Sequence, residues 1–315
     1  MAAGRMKILF ITAHRLGDAV LSMAVLSALV ERYPQARFTI ACGPTVTGLF
    51  QNVPRCEAVI ALNKRSYNRH WLSLWRKCVT QRWFMVVDLR SSLVGFGLWA
   101  RHRVLVKGGR RPGHKITQHA HALGWVDIPK PRLWLSQERV AKRRSILPKQ
   151  HQWVALAPTA GSPVKAWSAA SFVALARALE TLGLHPVIFY GPGEAEYEQA
   201  RPVVEALPYA YDLGGRYPIE DVACLLGQCR LFVGNDSGLM HLAAASSVPT
   251  LGLFGPSCVS QYAPVGPYTM TVCAPGIEGE GKMEQLKVDD VKEAAFRLFQ
   301  LTEDGASQRE RNDAL

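Results

Sequence analysis

A chain of 315 residues, 48% of them hydrophobic, is long enough for two α/β domains with separate cores. Its net charge of +12 is unevenly held: residues 1–150 carry 26 Lys+Arg against 6 Asp+Glu, and residues 151–315 carry 11 against 19. No apolar run approaches the roughly 20 residues that cross a bilayer, and the seven cysteines are scattered and never spaced C-x-x-C, which sets aside a transmembrane protein, a disulfide framework and a zinc site.

The first apolar run, "KILFIT" (7–12), passes straight into His14 and Arg15. It is too short for a secretory leader and reads as a first strand, so a cytoplasmic protein with reduced thiols is expected. A helix across 18–33 follows, closed by Pro34. Then come "FTIAC" (38–42), "AVIAL" (58–62), a helix near 66–81, "FMVVDL" (84–89), a short helix after 91 and "RVLVK" (103–107). The segment 130–150, rich in Pro, Lys and Arg, reads as a connection between domains.

A second series starts at "WVALAP" (153–158). Ser168 is placed to cap a helix whose Phe172, Leu175, Ala176 and Leu179 share one face, with Gly183 as its stop. "PVIFY" (186–190), a helix from about 193, "LFVGN" (231–235), a helix from 237 and "TLGLF" (250–254) complete the alternation. A last helix at about 288–301 precedes a polar tail, 303–315, expected to be disordered. Strand–helix alternation predicts parallel sheets with helices on both faces. The domains are expected at 1–145 and 146–302, two Rossmann-like units facing each other across a cleft, with ligands beyond the carboxyl ends of the strands.

Four strand-to-helix turns carry the chemistry. In "GNDSG" (234–238) the helix N-terminus offers backbone N–H groups to an anion, and His241 stands one helical turn further on. Asp236 and Ser237 are equally good N-cap residues, so capping alone is the competing reading. In "ITAHRLGDAV" (11–20), Gly17 and Asp18 open a helix and place a carboxylate at the end of the first strand. In "LAPTAGSPVKAWS" (156–168), small residues leave the strand and Lys165 precedes the capped helix, within reach of a diphosphate. In "YGPGE" (190–194), Glu194 is placed to accept hydrogen bonds from ribose hydroxyls. The spacings G-x-G-x-x-G and G-x-x-x-x-G-K-[ST] are both missing from these turns.

Together these stretches resemble the glycosyltransferase family that includes the lipopolysaccharide heptosyltransferases. The motifs "RLGDAVLSMAVLSAL" and "GNDSGLMHLAAA" carry the resemblance, supported by "DLRSS" (88–92) and "KAWSAASFVALARAL" (165–179). It implies a GT-B fold, an ADP-heptose donor, inversion at the anomeric carbon and neither metal nor other cofactor. It also implies Asp18 as catalytic base and Thr159, Lys165, Glu194, Asp236, Ser237, Gly238 and His241 as donor-binding residues. On the acceptor side it implies Lys115 and His119 in "GGRRPGHKITQHAHALG" (108–124). Arg110 and Arg111, in the same stretch, join them as candidates for holding an anionic acceptor. The N-terminal motif departs from the family pattern at His14-Arg15.

No D-x-D occurs in the chain to hold a divalent metal, so Lys165 and the helix dipole are expected to take up the diphosphate charge. The basic first half is expected to meet an anionic membrane surface carrying a lipid-linked glycan, peripherally and on the inner face of the inner membrane. No nucleic-acid partner is expected, because no aromatic-interleaved basic module is present. Two rival readings are a GT-B-shaped sugar-nucleotide epimerase, which would not need so basic a first half, and a non-catalytic sugar-nucleotide sensor, which would not need both Asp18 and Lys165.

Overall fold

The structure is a computed structural model that describes residues 6–64, 66–106 and 111–313, with side chains to 304. It divides into two compact units between Ser136 and Gln137.

The first unit runs β1 (Lys7–Ile11), α1 (Leu16–Arg32), β2 (Arg37–Cys42), β3 (Cys56–Ala61), α2 (Arg69–Cys78), β4 (Arg82–Asp88), β5 (Trp99–Leu105) and α3 (Lys115–Ala122). Its strands pair in parallel in the order β3-β2-β1-β4-β5. Helix α1 is buried at every position from Ala19 to Val30, as expected of a helix covered by structure all round. Two buried hydroxyls fix its start to the sheet: Thr12 donates to Ser22 Oγ, and Ser22 donates to the Ala19 carbonyl, both at 2.6 Å.

The second unit runs α4 (Gln137–Arg143), β6 (Gln152–Ala157), α5 (Ala169–Glu180), β7 (Leu184–Ile188), α6 (Glu194–Ala206), β8 (Tyr211–Asp212), α7 (Ile219–Leu226), β9 (Cys229–Asn235), α8 (Gly238–Ala245), β10 (Thr250–Phe254), α9 (Val259–Tyr262), β11 (Thr269–Cys273) and α10 (Val288–Asp313). Its parallel sheet has the order β11-β10-β9-β6-β7-β8. The predicted cap of α5 is made: Ser168 Oγ accepts from the Ser171 N–H at 3.1 Å, and Gly183 closes the end with φ +75°.

Both sheets reverse their strand order once, between β1 and β4 in the first unit and between β6 and β9 in the second. Such switch points open a crevice beyond the strands' carboxyl ends. The Asp18 turn follows β1; the Lys165 and Asp236 turns follow β6 and β9.

Three differences from the sequence reading have physical causes. The strand expected at 103–107 begins at Trp99, because the extended stretch pairs along the whole of β4. Helix α10, expected to end at about 301, runs to Asp313; no proline follows Thr302 to stop its propagation. The division between units falls before the expected 145/146 boundary, because α4 is anchored to α7. Asp221, fully buried, accepts from Arg139 at 2.8 Å and from Arg143 at 2.6 Å.

Burial pushes the Asp221 carboxyl up, but the two guanidinium groups outweigh it and hold it below the usual range. Its stabilisation is therefore present above the unfolded carboxylate pKa and is lost as pH falls through the lower folded value. Removing the charge leaves two partly exposed arginines facing a neutral group at a buried position. Asp221→Asn should lower unfolding free energy by about 2–4 kcal/mol at pH 7, read by urea denaturation. The gap to the native protein should narrow only below about pH 4.

Candidate active site

The second unit holds the denser site. Strand β9 ends in Asn235, whose side chain is fully buried. Its amide donates to the carbonyls of Pro158 (2.8 Å) and Thr159 (3.5 Å), and its Oδ1 accepts from the Trp167 N–H at 2.9 Å. One side chain thus ties the end of β9 to both ends of the loop after β6. Gln199 of α6 holds the middle of that loop, accepting from the Ala160 N–H at 3.3 Å.

This bracing sets Lys165. Its Nζ donates to Asp236 Oδ2 at 2.8 Å, and Asp236 stands two residues before the start of α8. The lysine is about one-third exposed, whereas Asp236 is nearly buried. A cation is therefore held beside a helix N-terminus, where unpaired N–H groups and the helix dipole already favour negative charge.

The capping interpretation of "GNDSG" does not hold. Ser237 occupies the N-cap position of α8, but its side chain makes no capping bond, and its buried Oγ has no hydrogen-bond partner among the described residues. Asp236 is committed to Lys165. The first turn of α8 is therefore left to accept an anion. Gly234 has a packing cause instead: a Cβ there would come within 2.8 Å of Ala157 and Phe232. Thr159 and His241 are buried at 3% and 4% exposure, Thr159 in the braced loop and His241 in α8. Glu194, the first residue of α6, is exposed; the glycine turn before it is held by Glu196, which accepts from the Gly191 N–H at 3.2 Å.

In the first unit, Asp18 lies in the first turn of α1, half-buried, on a helix start that no side chain caps. An acidic residue there interacts favourably with the dipole. His14, four residues earlier, contacts the Leu62 carbonyl through Nε2 at 2.7 Å. A carbonyl only accepts, so Nε2 carries the proton, and the buried Nδ1 is left as an acceptor without a hydrogen-bond partner among the described residues. Burial first, then the field of Arg90, Lys64 and His70, pulls the His14 pKa down. Asp88 is a bracing group: it accepts from the N–H groups of Arg90 (2.8 Å) and Ser92 (2.7 Å) and from the Ser92 hydroxyl (2.6 Å).

Among the acceptor candidates, Lys115 opens α3 and His119 follows one turn later. Burial and the charges of Lys115 and His114 pull His119 down to about 4. The Arg111 carbonyl accepts from Gln118 Nε2 at 2.9 Å, which ties the preceding loop to α3; Arg110 lies outside the described residues.

Sequence reasoning found the turns but missed Asn235, Gln199 and the bracing role of Asp88. Asn235 stood inside a quoted motif; its position as the last strand residue before a polar turn was the available signal. Nothing in the sequence marked Gln199, whose partner is a backbone N–H far along the chain.

Two parallel α/β units, each reversing its strand order once, are the architecture of the GT-B fold. A family model described as glycosyltransferase family 9 (heptosyltransferase) matches residues 100–291, and the chain belongs to that family. Lipopolysaccharide heptosyltransferase 2 of Salmonella typhimurium is 26% identical over 292 residues, covering 80% of this chain and 83% of the relative. The solved structure of E. coli ADP-heptose lps heptosyltransferase II superposes with a TM-score of 0.78 at 21% identity, covering 95% of this chain and 100% of that one. E. coli heptosyltransferase WaaC with ADP gives 0.74 at 17% identity, covering 93% and 100%. The protein is thus a glycosyltransferase with the GT-B fold.

The site yields two predictions. Ser237→Ala should leave unfolding free energy within about 0.5 kcal/mol of the native value, whereas Ser168→Ala, which deletes a made cap, should cost about 1 kcal/mol in the same urea titration. His119 is held neutral in the folded state down to about pH 4, against 6.5 for the free side chain. The unfolded chain therefore binds the extra proton across that window, and stability falls as pH drops from 6.5 to 4. His119→Gln should flatten this decline by about 2 kcal/mol in denaturation curves at the two pH values.

Proposed function

We propose that the protein transfers a heptose from an ADP-sugar to the core glycan of a lipopolysaccharide precursor, with inversion at the anomeric carbon. The single observation that carries the reading is the Lys165–Asp236 pair, 2.8 Å long, at the uncapped start of α8. Family membership narrows the anion to the diphosphate of a nucleotide sugar, and the named relatives supply the heptose and the lipopolysaccharide.

In this reading the acceptor hydroxyl oxygen attacks the anomeric carbon, and the bond from that carbon to the diphosphate oxygen breaks. The hydroxyl proton passes to the Asp18 carboxylate, and ADP carries away the bonding electron pair. One displacement inverts the centre. Charge growing on the diphosphate meets the Lys165 ammonium and the first N–H groups of α8. No resident metal takes part in this proposal.

Asp236 has a different task from its neighbours. A carboxylate beside a diphosphate repels it, so Asp236 serves to hold Lys165 in place and to accept from a sugar hydroxyl. Ser237 and Gly238 meet the phosphates, Thr159 and His241 line the same turn, and Glu194 takes the ribose. Lys115, Arg110 and Arg111 hold the acidic acceptor by charge, and His119, neutral above about pH 4, meets it as a hydrogen-bond partner. The enzyme works from the inner face of the inner membrane, as a peripheral protein. No helix among the described residues is long and apolar enough to cross a membrane.

The test is ADP release by the purified protein from ADP-heptose, against UDP- and GDP-sugars, with a lipid-free core glycan as acceptor. Asp18→Ala should lower kcat by about 10²-fold or more with ADP affinity unchanged, the scale of a lost general base. Lys165→Ala should weaken ADP binding in calorimetry. Turnover of Asp18→Ala at the native rate would overturn the base assignment.

A further inference from the structure

From Ala58 to Val126 the chain has thirteen Lys+Arg and one acid, Asp88. Asp88 is fully buried and spent on the loop of Arg90 and Ser92. The surface of this segment is therefore cationic without any exposed carboxylate to offset it.

On that surface, apolar side chains stand out at one corner. Strand β5 is the edge of its sheet. Beside it, Leu93, Phe96 and Trp99 are 69%, 66% and 68% exposed. Phe96 and Trp99 rim a shallow depression of about 630 Å³ whose other walls include Arg82, Arg101 and Arg103; Leu93 immediately precedes the turn that carries Phe96. The Arg82 guanidinium lies 5.7 Å from the Trp99 ring centroid, a cation–π distance.

The corner is built to present these groups. Trp75 of α2 donates through Nε1 to the Gly97 carbonyl at 2.8 Å, and a Cβ at residue 97 would come within 2.9 Å of that indole nitrogen. The turn Val94–Gly97 is thus pinned from beneath. Ser91 and Leu93 have φ of +54° and +61°, a conformation non-glycine residues hold only when the surroundings enforce it. The result is a leucine and a phenylalanine held outward.

We propose that this corner, centred on Leu93, Phe96 and Trp99 with Arg82 and Arg101, is the surface by which the protein docks on a bilayer rich in anionic phospholipid. The proposal rests on the reading above, in which the acceptor is lipid-linked. Exposed aromatics seat at the level of lipid headgroups, and neighbouring arginines are drawn to anionic ones. A second copy of the chain does not suit the patch, because a two-fold contact would set one cationic surface against the same surface. Strand addition by a protein partner is opposed at the start of β5 by Arg103, which donates to the carbonyl of Ala100 in the strand and to those of Gly95 and Leu98 in the turn before it.

The experiment is co-sedimentation of the full-length protein with vesicles of phosphatidylglycerol and phosphatidylcholine, against phosphatidylcholine alone, over a salt series. The variants are Phe96→Ser/Trp99→Ser, Arg101→Glu and, as a control for lost apolar surface, Ile277→Ser, a side chain that is 72% exposed. The native protein should bind only the anionic vesicles, and less as salt rises. The double variant should lose about ten-fold or more in partition, Arg101→Glu should bind less steeply with salt, and Ile277→Ser should bind as the native protein does.

Turnover on a lipid-free acceptor should be unchanged in all three, which shows that they fold. Native-level vesicle binding by the double variant would overturn the proposal, as would no binding by the native protein. So would a native dimer in sedimentation velocity that the double variant breaks. Failure of the native protein to release ADP with any acceptor would instead overturn the functional reading, whatever the vesicles show.

Discussion

The buried amide of Asn235 is the interaction on which the donor-side geometry depends. It bonds two carbonyls on one side of the β6 loop and an N–H on the other. A fully buried amide that lost these partners would carry the desolvation cost of each unsatisfied group, roughly 1–3 kcal/mol apiece. The loop therefore has one low-energy path, and that path ends with Lys165 against Asp236. The lysine's position follows from the packing of β9 against β6, two strands far apart in sequence and adjacent only at the switch point. Trp167 extends the bracing: its backbone meets Asn235, and its indole donates to the Leu286 carbonyl at 2.9 Å.

The same logic explains why a serine and an aspartate at a helix start are not caps here. An N-cap side chain folds back onto its own helix and satisfies one of the donors an anion would use. Committing Asp236 to Lys165 and leaving Ser237 uncommitted keeps those donors outward. Strand-end position and residue type are common to both arrangements. Only the location of Lys165, brought by the loop after another strand, distinguishes them.

That difference marks how far the sequence was legible. The alternation of apolar runs and helices gave the parallel α/β units, and "TLGLF" and the Ser168 cap fell where they were read. Local signals of this kind rest on neighbouring residues and backbone preference. Strand β8, two residues long, and β11, half-buried up to its exposed last residue, carry too little periodicity to read. The attachment of α4 was likewise hidden. Its arginines looked like a solvated linker because their partner, Asp221, lies far along the chain and is concealed on a helix face. At the site, motif residues were legible because they sit on turns. The groups that brace them, Asn235 and Gln199, act through backbone atoms of distant segments, and sequence leaves no trace of such partners.

Charge shows how a local arrangement can prevail over a global one. Divided at Ser136, the first unit holds 21 Lys+Arg against 5 Asp+Glu, and the second holds 16 against 20. The turn proposed to accept the diphosphate thus belongs to the unit with the negative balance. Exposed charges beyond a Debye length, about 8–10 Å at physiological salt, are largely screened. The near-buried end of Asp236, the lysine at 2.8 Å and the first N–H groups of α8 act at contact distance in a poorly screened environment. A diphosphate there is governed by those few groups rather than by the net charge of the unit. In the first unit the same screening has the opposite consequence. Its cationic residues are mostly exposed, so they act collectively and only on something broad and close, which is the kind of field that an anionic surface presents and a small nucleotide does not.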